Sequence, residues 1–233
     1  MIGALAHEIK QPLTAISVCS SVARDLLRMP APDMEEVRAT LDDVERGSLQ
    51  IAEVVDNIRA LLKASDRERG PIDANELVHT SLEVLGPELE QHEILVSTEL
   101  APDVPPIAGH RGQLREVVVN LVQNAIEAMN VITGRARTLC VRTERRDAKR
   151  VSISIEDTGC GIEPQRIAEL FDAFVTTKPQ GTGLGLAICR MIVERHDGQL
   201  AVLSEVGKGT RFEVTLPAVP PPLATVSTVT SRA

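Results

Sequence analysis

The chain has 233 residues, 43% hydrophobic and 25% charged, which suits one large or two smaller globular domains and is too polar for a membrane protein. Thirty-three acidic against 25 basic residues give a formal charge of -8, and the aromatic residues are three Phe with no Tyr or Trp. That balance excludes general nucleic-acid binding, which needs a basic field and, for single strands, stacking aromatics. No run of about 20 apolar residues could span a bilayer and no secretory pattern opens the chain, so a cytoplasmic location without membrane contact is expected.

From Ile2 to about Leu27, the residues Ala6, Ile9, Leu13, Ile16, Ser20, Ala23 and Leu27 alternate at spacings of three and four, the mark of one helix face. Met29-Pro30-Ala31-Pro32-Asp33 ends that helix, since proline disfavours helical geometry in the residue before it. Asp33, with Glu36 three positions on, caps a second helix in which Val37, Leu41, Val44, Ser48, Ile51, Val55, Ile58 and Leu62 keep the alternation. Two antiparallel helices with narrow seams leave much of each stripe open, and a four-helix bundle made by two chains covers it. A homodimer through residues 1–64 is therefore expected.

Ser65 to Gly70 is polar and leads into Pro71, which marks a linker at 65–70. Beyond it the periodicity is mixed. Ala74 to about Gln91 and Arg111 to about Ile132 read as helices, Glu93 to Leu100 as a strand, and Leu139–Thr143 and Val151–Ile155 as strands across a charged turn. Gly183 to His196 returns to helix, and Gln199–Leu203 and Arg211–Leu216 close with strands. The expectation for 71–216 is an α/β sandwich with helices on one side of a mixed sheet, followed by a disordered tail over 217–233.

Five short runs carry chemistry. In Leu5-Ala6-His7-Glu8-Ile9-Lys10-Gln11-Pro12, an imidazole beside a carboxylate on the face opposite the seam is placed to act as a nucleophile, the acid orienting one ring nitrogen while the other attacks. Asn120 and Asn124 in Asn-Leu-Val-Gln-Asn-Ala-Ile-Glu-Ala-Met share a helix face, and amide oxygens are hard ligands suited to Mg2+ alongside phosphate oxygens. Asp157-Thr158-Gly159-Cys160-Gly161 offers a carboxylate acceptor for an exocyclic amine and glycines that let backbone approach a flat ring. Lys178-Pro179-Gln180-Gly181-Thr182-Gly183-Leu184-Gly185 puts a lysine and three alternate glycines at the start of a helix, where free N–H groups and the dipole favour a polyphosphate. The lysine precedes the glycines, unlike the order in a P-loop. Gly207-Lys208-Gly209-Thr210 lies between the closing strands. Cys19, Cys140, Cys160 and Cys189 form no Cys-x-x-Cys pair and suggest neither zinc nor a disulfide framework.

In this order and spacing the five runs resemble the H, N and three glycine boxes of bacterial sensor histidine kinases, over roughly residues 1–216, and Phe171-Asp-Ala-Phe174 matches the family's F box, whose Phe residues anchor a lid over ATP. The resemblance implies a dimerisation and phosphotransfer hairpin joined to an ATP-binding sandwich of the gyrase, chaperone, histidine kinase and mismatch-repair type. It implies His7 as phosphoacceptor with Glu8 as its acidic helper, Asn124 on Mg2+, Asn120 near phosphate or ordered water, and Asp157 on the adenine amine. Gly159, Gly161, Gly181, Thr182, Gly183, Leu184 and Gly185 would shape pocket and lid, with Lys178 near the phosphates and Thr210 near the adenine through water. Where the superfamily's ATPases carry a glutamate this chain has Asn120, which favours transfer to His7 over hydrolysis. Transfer onward to the receiver domain of a response regulator is implied, and Gln11, one turn beyond His7, would place water if the regulator is also dephosphorylated.

The His-Glu-x-x-Gln-Pro form resembles the subgroup that includes oxygen-sensing and dicarboxylate-sensing kinases. Lys10 departs from that subgroup's frequent Asn, and His196-Asp197-Gly198 replaces the common His-Gly-Gly. Gly198 is expected to supply the left-handed residue that ends a helix there. The family's sensory module is not expected within this stretch.

Overall fold

The computed structural model describes residues 2–62, 69–172, 175–176 and 183–219. It divides into two compact units, Met1–Asp66 with Pro164–Met191 and Arg67–Glu163 with Ile192–Ala233.

In the first unit, helices α1 (Ile2–Leu26) and α2 (Met34–Leu62) pack on each other. Asp33 caps α2 as expected, its Oδ1 accepting from the N–H groups of Glu35 at 2.9 Å and Glu36 at 3.3 Å. One close approach among the described residues needs a glycine that the heptad reading passes over. A Cβ at Gly47 would lie 2.8 Å from the Ile16 side chain and 3.4 Å from the Pro12 carbonyl. Pro12, Ala23, Val37 and Gly47 are buried, whereas Leu13, Leu27 and Leu41, all assigned to the seam, stay 50%, 54% and 50% exposed in the single chain.

The second unit begins with β1 (Gly70–Ile72), α3 (Ala74–Gln91), β2 (Leu95–Leu100), β3 (Ile107–Gly109), α4 (Arg111–Asn130), β4 (Thr138–Arg145) and β5 (Arg150–Asp157). In chain order α5 (Pro164–Ile167) and α6 (Gly185–Arg195) come next, α5 and most of α6 falling in the first unit, and β6 (Gln199–Glu205) and β7 (Gly209–Pro217) close the second. The main sheet has the order β2-β4-β5-β7-β6, parallel between β2 and β4 and antiparallel elsewhere, which is the mixed sheet expected. β1 and β3 pair separately; at three residues each, they are too short for alternation to reveal them.

Alternation sends one set of side chains inward. Val141, Ile155, Phe212 and Val202 lie in register across β4, β5, β7 and β6, and Leu77 and Val78 of α3 with Leu114, Leu121, Ile126 and Met129 of α4 are buried above that face. The opposite face is a charged row. Arg142 donates to Glu99 at 2.7 Å and to Glu156 at 2.6 Å, and Arg211 donates to the same Glu156 oxygen at 2.6 Å. One apolar and one ionic face explain why helices cover a single side of the sheet.

The end of α6 corrects the expectation for Gly198. Asp197, at φ 55°, takes the left-handed position; its N–H reaches Glu194 O at 3.0 Å, and Gly198 N–H reaches Val193 O at 2.9 Å. Gly198 is needed for space instead, since a Cβ there would meet Thr215 O at 2.6 Å. β7 continues to Pro217, and Ala218 N–H bonds Lys149 O at 2.7 Å, so the first residues of the expected tail are held; 220–233 lie outside the described residues.

Asp73 starts α3, accepting from the N–H groups of Asn75 at 2.8 Å and Glu76 at 3.2 Å. Asp73→Ala is expected to lower unfolding stability by about 1 kcal/mol and Asp73→Asn by a fraction of that, read from urea midpoints. Equal midpoints for Ala and wild type would remove the cap from the account.

Candidate functional site

β5 ends on Asp157, which is buried and pairs across the sheet with Thr210 of β7. Its Oδ1 accepts from the backbone N–H of Gly159 at 2.6 Å and of Thr210 at 3.3 Å. The turn after β5 and the β6–β7 hairpin are pressed backbone to backbone here. A Cβ at Gly209 would lie 1.9 Å from Asp157 O, and one at Gly161 would lie 2.2 Å from Glu205 O. Both glycines have positive φ, 134° and 73°, so they are required twice over, for space and for conformation. Gly207 N–H donates to Cys160 O at 2.8 Å, Ile162 N–H to Ser204 Oγ at 2.8 Å, and Ser204 Oγ shares a hydrogen bond with Thr210 Oγ1 at 2.9 Å.

α4 forms the adjoining wall. Asn120 and Asn124 are half-buried on one stripe, and Ala128 is the next residue on it. Ala128 meets the turn directly: a Cβ at Gly159 would lie 2.7 Å from its Cβ, and Cys160 N–H bonds its carbonyl at 3.1 Å. With about 6 Å of rise per four helical residues, Asn124 and Asn120 stand roughly one and two steps from the carboxylate's turn. Thr158 ties the same turn to β4, accepting from Thr138 N–H at 2.9 Å. An open cavity of about 330 Å³ at this strand end is lined by Asp157, Ser204, Lys208 and Thr210 with Glu156 and Arg211, and not by Asn120 or Asn124.

Burial pushes the Asp157 carboxyl up to about 6, against the pull of the Gly159 and Thr210 N–H groups. The carboxylate is thus an acceptor held in a poorly solvated place, with two backbone N–H groups on its Oδ1.

The other candidates are placed as follows. Gly183 has φ 65°, Leu184 O accepts from Ile188 N–H at 2.9 Å, and Gly185 opens α6, so the end of the glycine run does start a helix. Phe171 is half-buried with the Arg190 guanidinium 5.9 Å from its ring centre. Phe174, Lys178, Gly181 and Thr182 lie outside the described residues. His7, Glu8 and Gln11 are on α1, and their side chains lie outside the description. Ala128 and Ser204, which the sequence reading did not single out, join the site; for Ala128 the signal was its place eight residues after Asn120. Among the described residues no group of three or more His, Cys, Asp or Glu could hold a metal.

Residues 1–67 match the His Kinase A (phospho-acceptor) domain, and residues 109–220 match the family described as Histidine kinase-, DNA gyrase B-, and HSP90-like ATPase. The chain belongs to the sensor histidine kinases. It is 32% identical to the C4-dicarboxylate transport sensor protein DctS of Rhodobacter capsulatus over 217 residues, 93% of this chain and 33% of that protein. Against the sensor protein FixL of Bradyrhizobium diazoefficiens it is 31% identical over 219 residues, 94% of this chain and 43% of that protein. This histidine kinase chain therefore spans well under half the length of those two relatives. The catalytic domain of the histidine kinase ThkA superposes with a TM-score of 0.58 at 30% identity, covering 66% of this chain and 97% of that one. Full-length ShkA, solved in complex with AMPPNP, superposes with a TM-score of 0.67 at 26% identity, covering 94% of this chain and 47% of that one.

The raised Asp157 value has two consequences of opposite sign. Because the folded value, about 6, lies above the ordinary 3.8, the ionised group costs stability above pH 6, and that cost is relieved as pH falls towards 4. If this carboxylate serves an adenine amine, as the resemblance implies, its ionised form is the stronger acceptor, and ATP affinity should fall as pH drops through 6. Calorimetric Kd values between pH 7.5 and 5 are expected to rise more steeply for wild type than for Asp157→Asn; parallel curves would contradict the role of this carboxylate.

Proposed function

We propose that this histidine kinase core binds Mg-ATP in the unit built around α4 and β5, phosphorylates His7 on α1, and passes the phosphoryl group to an aspartate of a response-regulator receiver domain. The observation that carries the reading is the floor of the second unit, where a buried carboxylate ends β5 among glycine turns and faces a helix with two asparagines on one stripe. The AMPPNP bound by ShkA, a chain of similar fold, agrees with a nucleotide site. The domain division proposed with it is a phosphotransfer hairpin over 1–64, a linker over 65–70 and a nucleotide-binding domain over 71–216.

In this reading Asp157 accepts a hydrogen bond from the adenine amine, and the Thr210 hydroxyl reaches the base through water. The hard amide oxygen of Asn124 fits Mg2+, which takes few protein ligands and completes its shell with phosphate oxygens and water; the ion supplies charge neutralisation on the phosphates. Asn120 holds phosphate or water. Lys178 and the Gly181–Gly185 run are assigned to the polyphosphate, and Phe171 and Phe174 to the lid, on the resemblance of their motifs. Glu8 takes a proton from one nitrogen of His7 while the other forms the N–P bond as the β–γ bridging P–O bond breaks and ADP leaves. Leu13, Leu27 and Leu41, left half-exposed on the hairpin, are the contact proposed for a second copy in a four-helix bundle.

The deciding assay is incubation of the chain with γ-labelled ATP and Mg2+. Acid-labile label is expected on wild type, none on His7→Gln, and a loss on the order of 100-fold in Asn124→Ala, which removes the oxygen ligand proposed for Mg2+. Label that persists in His7→Gln would contradict the phosphoacceptor assignment.

A further inference from the structure

Arg135, in the connection between α4 and β4, joins the two glycine turns that meet at Asp157. One guanidinium nitrogen, Nη2, donates to the carbonyl of Gly159 at 2.7 Å, and the other, Nη1, donates to the carbonyl of Gly207. These carbonyls belong to chain segments 48 residues apart, counted from 159 to 207, and each sits on a turn whose glycines take left-handed conformations, Gly161 on one and Gly207 and Gly209 on the other. Such turns have little stiffness of their own, because glycine restricts its backbone least. The guanidinium is a rigid planar fork with parallel donors, which suits two acceptors at a set spacing.

The base of the fork is itself anchored. Gly134, at φ 82°, turns the chain just before Arg135, and Thr158 Oγ1 donates to the carbonyl of Ala136 at 3.2 Å. Arg137 then holds the carbonyls of His92 at 2.8 Å and Ile132 at 3.3 Å. A surface arginine would normally be free to wave in solvent; this one leaves a stapled segment and ends on two backbone carbonyls, one in each of the turns next to Asp157.

We propose that Arg135 is a positioning residue for nucleotide binding, which clamps the Gly159 and Gly207 turns so that the adenine pocket keeps one width and presents Asp157 as an ionised acceptor. The proposal rests on the nucleotide reading given above and adds to it a residue outside all five motifs. It acts through the two turns and touches neither phosphate nor base. Among the charged groups around Asp157, Arg135 favours ionisation and Glu156 on its own strand opposes it, as does burial; the N–H groups of Gly159 and Thr210 favour it, and Glu205 and Lys208 of the hairpin and Arg211 of β7 line the same cavity.

The test is calorimetry of AMPPNP and Mg2+ binding to the full chain from pH 5 to 8, for wild type, Arg135→Met and Arg135→Lys, with the melting temperature of each recorded. Arg135→Met keeps the length and removes both donors and the charge. Its Kd is expected to rise on the order of tenfold at pH 7.5, about the loss of one charge-assisted hydrogen bond, and its acid limb to move to higher pH. Arg135→Lys is expected to restore the acid limb, because the charge returns, while its Kd stays above wild type, because an ammonium cannot span both carbonyls. A general loss of stability would raise Kd in both variants without moving the acid limb, and that result would overturn the proposal. So would wild-type Kd and pH dependence in Arg135→Met. Failure of wild type itself to bind AMPPNP would overturn the nucleotide reading and this one together, and so is distinct from the other two results.

Discussion

The close meeting of two turns, one following β5 and one joining β6 to β7, is the constraint on which the site depends. Backbone atoms there lie where side chains would have to be, with Gly209 against Asp157 O and Gly161 against Glu205 O. Any residue larger than glycine would force the turns apart and carry Asp157 with them. The same contact supplies the N–H groups of Gly159 and Thr210 that hold the carboxylate, and Ala128 brings α4 with its two asparagines against the turn. Sheet register, glycine placement and helix packing thus serve one buried acceptor.

That acceptor is costly to the fold. Burial lifts its proton affinity, so at neutral pH the chain carries an ionised group where a neutral one would be more stable. A bound amine would add a hydrogen bond to a carboxylate that already accepts from two backbone N–H groups, and would offset part of that cost. The exposed face of the sheet uses charge differently. Burial would raise the Glu156 carboxyl, but the Arg142 and Arg211 guanidiniums outweigh it and hold it below the usual range. Two neighbouring residues on β5, pointing to opposite faces, therefore have opposite shifts.

Local pattern made most of the elements legible. α3 was placed at Ala74 to about Gln91 and lies at Ala74–Gln91, and the mixed sheet followed from runs of alternating residues; the Asp73 cap was found only in the structure. Features that join distant residues were not legible. β1 and β3 exist because they pair with each other, and Gly47 matters because α1 crosses it. At the end of α6, residue type pointed to Gly198 for the left-handed turn, yet Asp197 tolerates that conformation, and the space beside Thr215 and Leu216 required the glycine. Asp157, Gly159, Gly161 and Thr210 were found through motif order, and the structure gathers them. Arg135 carried no signal, since a lone arginine after a glycine looks like any solvated turn until the two carbonyls it reaches are in view.

The central claim is that Asp157 reads the exocyclic amine of adenine, and a single change on the ligand tests it. Inosine triphosphate keeps the ribose and all three phosphates and replaces that amine by an oxygen, which would face the carboxylate as a second acceptor. Calorimetry of both nucleotides at pH 7.5 should show inosine triphosphate binding at least about 100-fold more weakly than ATP, from a lost charge-assisted hydrogen bond and an added repulsion. Equal affinity would contradict the account, leaving the phosphates as the source of binding and Asp157 as a structural carboxylate.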